Sequence, residues 1–295
     1  MQRRKFIQQA VILSAISMVG PQHLFAAPAS VKAGIQLYSM RDYIGKDVRG
    51  VLAKIAKAGY KEVETYGYSK SAGFWGLSAK EFKAVLAANG LTTPSGHYDM
   101  DSFVRTGSQD VLMSYIEAAK ASGQTYIIVP SLSENLRTTP DEFKAVADKL
   151  NKAGELCKAA GLRLGYHNHN FEFTPVGGTT FYDVLLKETQ PNLVDFEMDI
   201  YWVVRAGQDP VKMIQEHPGR FPLWHVKDMD KAKPELNTEI GSGSIDFAKI
   251  FAVSTTAGLK HLLMEQENFS MDAYQSIAQS ATYMNKKLIP LLKRA

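Results

Sequence analysis

Residues 58–66 read AGYKEVETY. A helical run ends in alanine and then glycine, and a short, partly apolar segment follows at once. Glycine just past the last turn takes up the left-handed conformation that stops a helix. The segment behind it is then expected to be a strand. The same junction recurs as NGLTTPSGHY from 89, SGQTYIIVP from 122, AGLRLGYHN from 160 and AGLKHLLME from 257. AGIQLYS from 33 supplies an opening strand. VDFEMDIYW from 194 and PLWHVKDMD from 222 supply two more, after QPN and RF rather than glycine.

Eight short strands therefore start at intervals of about 27–38 residues. Between most of them apolar residues recur at steps of three and four, the spacing of one helix face. KDVRGVLAKIAKAG (46–59) and DEFKAVADKLNKAGELCKAAG (141–161) are examples. No linker or low-complexity tract interrupts the rhythm. Strand and helix in regular alternation predict an α/β fold, a closed (β/α)8 TIM barrel in a single domain. A doubly wound open sheet fits less well, because IQLYSMRDYIG after strand one lacks the Gly-rich fingerprint common there.

Residues 1–29 stand apart from this pattern. Arg3, Arg4 and Lys5 precede an apolar run, AVILSAISMVG (10–20), too short to span a bilayer as a helix. Ala27 and Ala29 are spaced as in an A-x-A cleavage site, the layout of a secretory signal peptide. The arginine pair ahead of Lys-Phe-Ile resembles a twin-arginine export signal. Residues 30–295 are expected to be the mature barrel, exported to the periplasm with no stable membrane anchor. The leader holds three of the 34 basic residues and none of the 30 acidic ones, so the remainder is nearly neutral. That balance gives no ground for a nucleic-acid or membrane partner. Cys157 is the single cysteine, so no internal disulfide is expected. It reads as a small buried residue of a helix rather than as a nucleophile. A homo-oligomer is left open.

Chemistry in such a barrel sits at the C-terminal strand ends. Strand side chains alternate between faces, so residues two apart share a face. In LRLGYHNH, Leu162, Leu164 and Tyr166 oppose Arg163, Gly165, His167 and His169. In VDFEMD, Asp195, Glu197 and Asp199 share a face. His225 and Lys227 do so in LWHVKD, and Glu265 and Glu267 in LLMEQE. The apolar set suits packing against helices, and the polar set then points into the barrel near its top. So many inward ionisable groups are costly unless paired. A divalent cation removes the cost, because carboxylates and neutral imidazoles become its ligands. Mixed oxygen and nitrogen donors suit Mn, Co, Zn, Fe or Mg without choosing among them. The plainer alternative is a network of buried salt bridges, such as Lys227 with Glu267.

The order and spacing of AGYKEVE, MDIYWVVRAGQDPV, HVKD, GSGSIDF and MEQE resemble those of the xylose-isomerase-like TIM barrels. That group covers sugar phosphate isomerases/epimerases and the second AP-endonuclease family. The resemblance runs from GIQLYS to the last helix. It implies one divalent metal held by an acid from strand five, Asp199, His225 and Glu265. The commonest strand-five pattern is Glu-Asn-His, whereas this chain has His167-Asn168-His169. Either His167 takes over as ligand, or His169 or Glu172 reaches in. The change also leaves the usual isomerase base unassigned.

The chemistry implied is a sugar's. A bound cation would polarise a carbonyl and acidify the neighbouring C–H. A base then removes that proton and leaves an enediolate. Returning the proton elsewhere gives isomerisation or epimerisation. Expelling a β-substituent gives dehydration or elimination, the alternative being an exported lyase acting on 3-keto-glycosides. Candidate bases are Glu172, Glu265 and His169, and Lys227 is a candidate acid. His97, Glu64, Trp202 and Glu267 are candidate substrate contacts, with Tyr201 and Phe171 as further stacking candidates. GSGSIDF could offer backbone N–H groups to a phosphate. Its plainer reading is a turn with Asp246 capping the next helix. A non-catalytic sugar-binding protein would need no metal. Cleavage of abasic DNA would need more histidines and a basic groove. Of the chain's seven histidines, His23 lies in the leader, His217 at a helix end and His261 at the start of strand eight.

Overall fold

The computed structural model describes residues 31–292, so the expected leader lies outside the described residues. Eight parallel strands close a barrel. They are β1 (Ala33–Gln36), β2 (Glu62–Thr65), β3 (Thr92–His97), β4 (Tyr126–Val129), β5 (Arg163–His167), β6 (Val194–Asp199), β7 (Leu223–Val226) and β8 (His261–Met264). Each pairs with its sequence neighbours, and β1 closes the ring on β8 with Gly34 beside Leu263 and Ile35 beside Met264. The register between β2 and β3 slips between Glu62 and Glu64, a bulge on the strand that also carries Pro94 on its partner.

The helix-stopping signal works as the sequence implies. Gly59, Gly90, Gly123, Gly161 and Gly258 all have positive φ, from 65° to 109°. Other helix starts are equally local. Ser78 with Glu81 and Thr139 with Glu142 form reciprocal caps, the second with Pro140 in the first turn, which satisfies backbone N–H groups that the helix itself leaves free.

Alternation along the strands builds two different layers. Outward residues, among them Val63, Ile127, Leu164, Tyr166, Phe196, Trp224 and Met264, belong to one continuous apolar core with the surrounding helices. Trp224 meets Phe251 edge to face, with ring centroids 5.4 Å apart. Each such side chain, fully buried, stabilises by about 1.5–3 kcal/mol, so this shell holds the ring closed. Inward residues form three storeys. At the N-terminal end Glu62 pairs with His261 at 2.9 Å and Arg163 pairs with Asp195. Above them Tyr126, Ile128, Leu223 and Leu263 make a small apolar plug. Gly34 and Gly165 leave room for it: a Cβ at Gly165 would come within 2.5 Å of Ile128. The top storey is polar.

Two strands end sooner than their alternation suggested. The run LWHVKD leaves the barrel after Val226, and Asp228–Met229 pairs instead with Asn237–Thr238. The cause is Asp228, whose carboxylate accepts backbone N–H bonds from Gly241, Gly243 and Ile245 at 2.8–3.3 Å. Likewise β8 ends at Met264, and Glu265 to Glu267 lie in the following loop. No helix among the described residues is long and apolar enough to cross a membrane.

Candidate active site

The top storey gathers side chains from β1, β2, β3 and from β5 through to the loop after β8. Gln36 donates to Glu64 at 2.7 Å, and Glu64 faces the imidazole of His225 at 2.7 Å. Glu197 Oε2 faces His97 at 2.8 Å and both His167 and His225 at 3.2 Å. Higher up, Asp199 Oδ2 lies 3.9 Å from His167 and 4.0 Å from His225, while Glu265 lies 3.3 Å from His225. Lys227 sits among Asp199 (3.8 Å), Glu265 (3.2 Å) and Glu267 (2.5 Å). All but Glu267 and His97 are essentially buried.

Charge does not balance here. Glu64, Glu197, Asp199, Glu265 and Glu267 face a single fixed cation, Lys227, and the imidazoles of His97, His167 and His225. The electrostatics reflect the crowding. Burial alone would lower the His97 ring, but Glu64 and Glu197 outweigh it and hold it at about 9. Burial, then the like charge of Glu64, pushes Glu197 up to about 7. Burial raises Asp199 to about 6 against the pull of Lys227. For Glu265 burial is outweighed by Lys227 and His225, which hold it well below the usual carboxylate range. His169 is lowered to about 4 by burial and then by Lys227.

Donor geometry fits a cation. Two overlapping tetrads, His167–Asp199–His225–Glu265 and His97–His167–Glu197–His225, each bring one donor atom per residue within 4.8 Å of the others. Donors 2.0–2.2 Å from one shared ion sit roughly 3–4 Å apart. Asp199 Oδ2, Glu64 Oε1 and Glu197 Oε1 are buried with no hydrogen-bond partner, a state that costs about 1–3 kcal/mol or more per group. The residues present therefore fit a divalent metal, with the first tetrad opening to the mouth. The salt-bridge alternative is also present in part, as Lys227 with Glu267.

A cavity of about 470 Å3 opens over this cluster, lined by Tyr38, Tyr66, His97, His167, His169, Trp202, Glu265 and Glu267 among others. Tyr66 packs edge-on against Tyr38 and Trp75, both at 5.2 Å, so one wall is aromatic. A groove of about 560 Å3 beside Ser242 and Lys287 is larger but borders no carboxylate or imidazole.

His97, Glu64, Trp202 and Glu267 all stand at or just beneath this mouth. His169 lies beyond the end of β5, stacked on Phe171 at 5.2 Å and close to Trp202 at 5.7 Å. Glu172 does not join them, and its expected service as base or ligand is corrected. The chain turns through a short helical loop, Phe171–Phe173, and swings Glu172 to the outer face of β5. There its two oxygens accept from Tyr166 Oη at 3.0 Å and the His169 backbone N–H at 2.8 Å. Burial raises its carboxyl to about 7. GSGSIDF also resolves to its plainer reading: its amides are taken by Asp228, and Asp246 caps Phe247–Phe251. From the sequence Glu197 reads as inward-facing with no assigned role, and Gln36 is not singled out. Glu197 had a signal, since it alternates with Asp199; Gln36 had the same parity relative to Gly34.

A closed (β/α)8 barrel with an ionisable cluster and a cavity at its C-terminal face has the architecture of a barrel enzyme. The chain belongs to the xylose isomerase-like TIM barrel family, which it matches over residues 52–287. It is similar to an inosose dehydratase from Clostridium perfringens, 33% identical over 144 residues, or 43% of this chain and 48% of that protein. An inosose dehydratase from Clostridium botulinum is 24% identical over 276 residues, 80% of this chain and 88% of that one. Against the first, the match spans about half the length of the relative. A solved sugar phosphate isomerase/epimerase from Parabacteroides distasonis superposes with a TM-score of 0.78 at 29% identity, over 90% of this chain and 96% of the other.

Proposed function

We propose that this chain is a divalent-metal-dependent enzyme that abstracts a proton next to the carbonyl of an unphosphorylated sugar. One observation carries the reading: buried carboxylates outnumber cations where two sets of metal-competent donors underlie an open, aromatic-walled cavity. His167, Asp199, His225 and Glu265 would hold the metal, which when bound supplies Lewis-acid polarisation of the carbonyl. His169 is the proposed base. Its Nδ1 is buried without a hydrogen-bond partner at the cavity wall, and burial together with Lys227 keeps the ring neutral. Lys227, held cationic by Glu265, Asp199 and Glu267 against burial, is positioned to donate a proton to a leaving or enolate oxygen. Tyr38, Tyr66 and Trp202 offer apolar faces to a sugar ring.

A free sugar is favoured over a sugar phosphate. The glycine-rich loop amides are spent on Asp228, and the cavity wall carries the carboxylates of Asp99, Glu265 and Glu267, which would repel a phosphate. An exported, periplasmic location, proposed from residues 1–29, agrees with that preference. Isomerisation or epimerisation is the first reaction class. Elimination, as on a 3-keto-glycoside, is the second, and the near-full-length similarity to an inosose dehydratase favours it.

Incubation in deuterium oxide with free ketoses and with 3-keto-glycosides tests the reading. Deuterium should enter the carbon next to the carbonyl, stop entering after EDTA, and resume with added Mn2+. Sugar binding that is unaffected by EDTA and gives no exchange would replace this proposal with a binding protein.

A further inference from the structure

We infer that Glu197 behind His167 and Glu64 behind His225 are positioning residues that turn the ligating nitrogens of the two rings toward Asp199. The inference rests on the metal reading above and extends it to two side chains that do not line the cavity. His167 and His225 belong to both tetrads. Each ring shows opposite nitrogens to the two sides. Nδ1 of His167 and Nε2 of His225 both lie 3.2 Å from Glu197 Oε2. Nε2 of His167 and Nδ1 of His225 lie 3.9 and 4.0 Å from Asp199 Oδ2.

A neutral imidazole carries one N–H and one lone pair. A ring that donates its N–H to Glu197, as His167 is placed to do, or to Glu64, as His225 is, must therefore offer its lone pair on the Asp199 side. Ions in both tetrads at once would require both shared rings to bridge as imidazolates, with both nitrogens deprotonated. A single ion asks this of neither ring, and one set then serves as ligands and the other as their support. Both sets touch the cavity, the upper through His167 and Glu265 and the lower through His97 and His167, but in the upper set Asp199 Oδ2 is left without a hydrogen-bond partner. The lower set is already knit together, with Glu197 Oε2 also facing His97 at 2.8 Å and Glu64 facing His225, His97 and Gln36. A carboxylate is suited to this task because, ionised, it only accepts. An amide at the same place would present two N–H groups and could oppose the donation from one ring. Carboxylates behind metal-bound histidines fix tautomer and orientation in just this sense. Here Glu197 stands behind His167 at 3.2 Å, and Glu64 stands behind His225 at 2.7 Å.

The test uses Zn2+ as the probe on the full chain. Nitrogen-15 spectra of the histidine rings report which nitrogen is metal-bound and which carries a proton. In the Zn2+-loaded wild type, His167 should bind through Nε2 and His225 through Nδ1, with Nδ1 and Nε2 protonated. Glu197→Gln should lower Zn2+ affinity in calorimetry by about 10- to 100-fold while saturating at one ion. Zinc on Nδ1 of His167 or Nε2 of His225 would overturn the inference, making Glu197 itself a ligand. So would a Glu197→Gln protein with affinity within twofold of wild type and an unchanged nitrogen pattern. If that variant does not fold, the wild-type spectrum decides alone. A wild type that takes up no Zn2+ or Mn2+ at these rings sinks the metal reading itself, and this inference with it.

Discussion

The two ends of the barrel interior are both polar, yet they differ in how their charges are matched. At the N-terminal end each acid has one partner, Glu62 with His261 and Asp195 with Arg163. At the C-terminal end Glu64, Glu197, Asp199, Glu265 and Glu267 crowd around one lysine and shared imidazoles, with buried oxygens left without partners. An apolar plug separates the two. The contrast teaches that inward polarity alone does not mark a site. Matched pairs offset their own desolvation and need nothing more, whereas an unmatched surplus is tolerable only if something else completes it.

Experiments can break or sharpen that contrast. The largest effect is expected for Asp199→Ala, whose carboxylate oxygen lies between His167 and His225. Metal content by elemental analysis should fall to near zero and deuterium exchange by about a thousandfold or more, beyond the 10- to 100-fold typical of supporting residues. Stripping divalent ions from the wild type should come next, lowering Tm by about 5–10 °C and recovering on Mn2+ addition. An unchanged Tm would mean that the upper end is as self-sufficient as the lower. Arg163→Ala probes the matched end. It leaves Asp195 without its partner, and because Arg163 is part-exposed the cost should be only about 1–2 kcal/mol in denaturant unfolding. Exchange activity should stay within about threefold of wild type by the same measure, since the plug lies between. A large loss of activity would deny that the ends are independent.

The smallest effect concerns Glu172, buried outside both ends. Burial raises its carboxyl from 4.5 to about 7 in the folded chain, so folding favours the protonated form. The stability this group contributes is present at low pH and is lost as pH rises through about 7. Glu172→Gln should flatten the fall in stability between about pH 4.5 and 7, measured by denaturant midpoints, and leave deuterium exchange nearly unchanged. A collapse of exchange in this variant would return Glu172 to the chemistry.

Most of the fold was legible because its signals are local. Glycines such as Gly59 and Gly161 stop helices by their own backbone freedom, and alternation in LWHVKD and VDFEMD assigns faces without reference to the rest of the chain. That same alternation brought Asp199, His225 and Glu265 to one storey. It failed where strands end. His169 and Glu172 follow His167 by two and five residues, but β5 stops at His167, and a short helical loop sends one to the mouth and the other behind the strand. Nothing in NHNFEF announces that turn. Glu197 was legible as inward-facing. Its task was not, because convergence of three imidazoles on one oxygen depends on the register between strands far apart in sequence.

The first strand lies against the last, with Ala33 to Ile35 beside Leu262 to Met264. During synthesis the ring therefore stays open until β8 has emerged from the ribosome. Glu265 arrives with the closing segment, so the ion-competent centre has no meaning in any shorter nascent intermediate. On the proposed reading, a metal could be taken up at the complete site only after that closure.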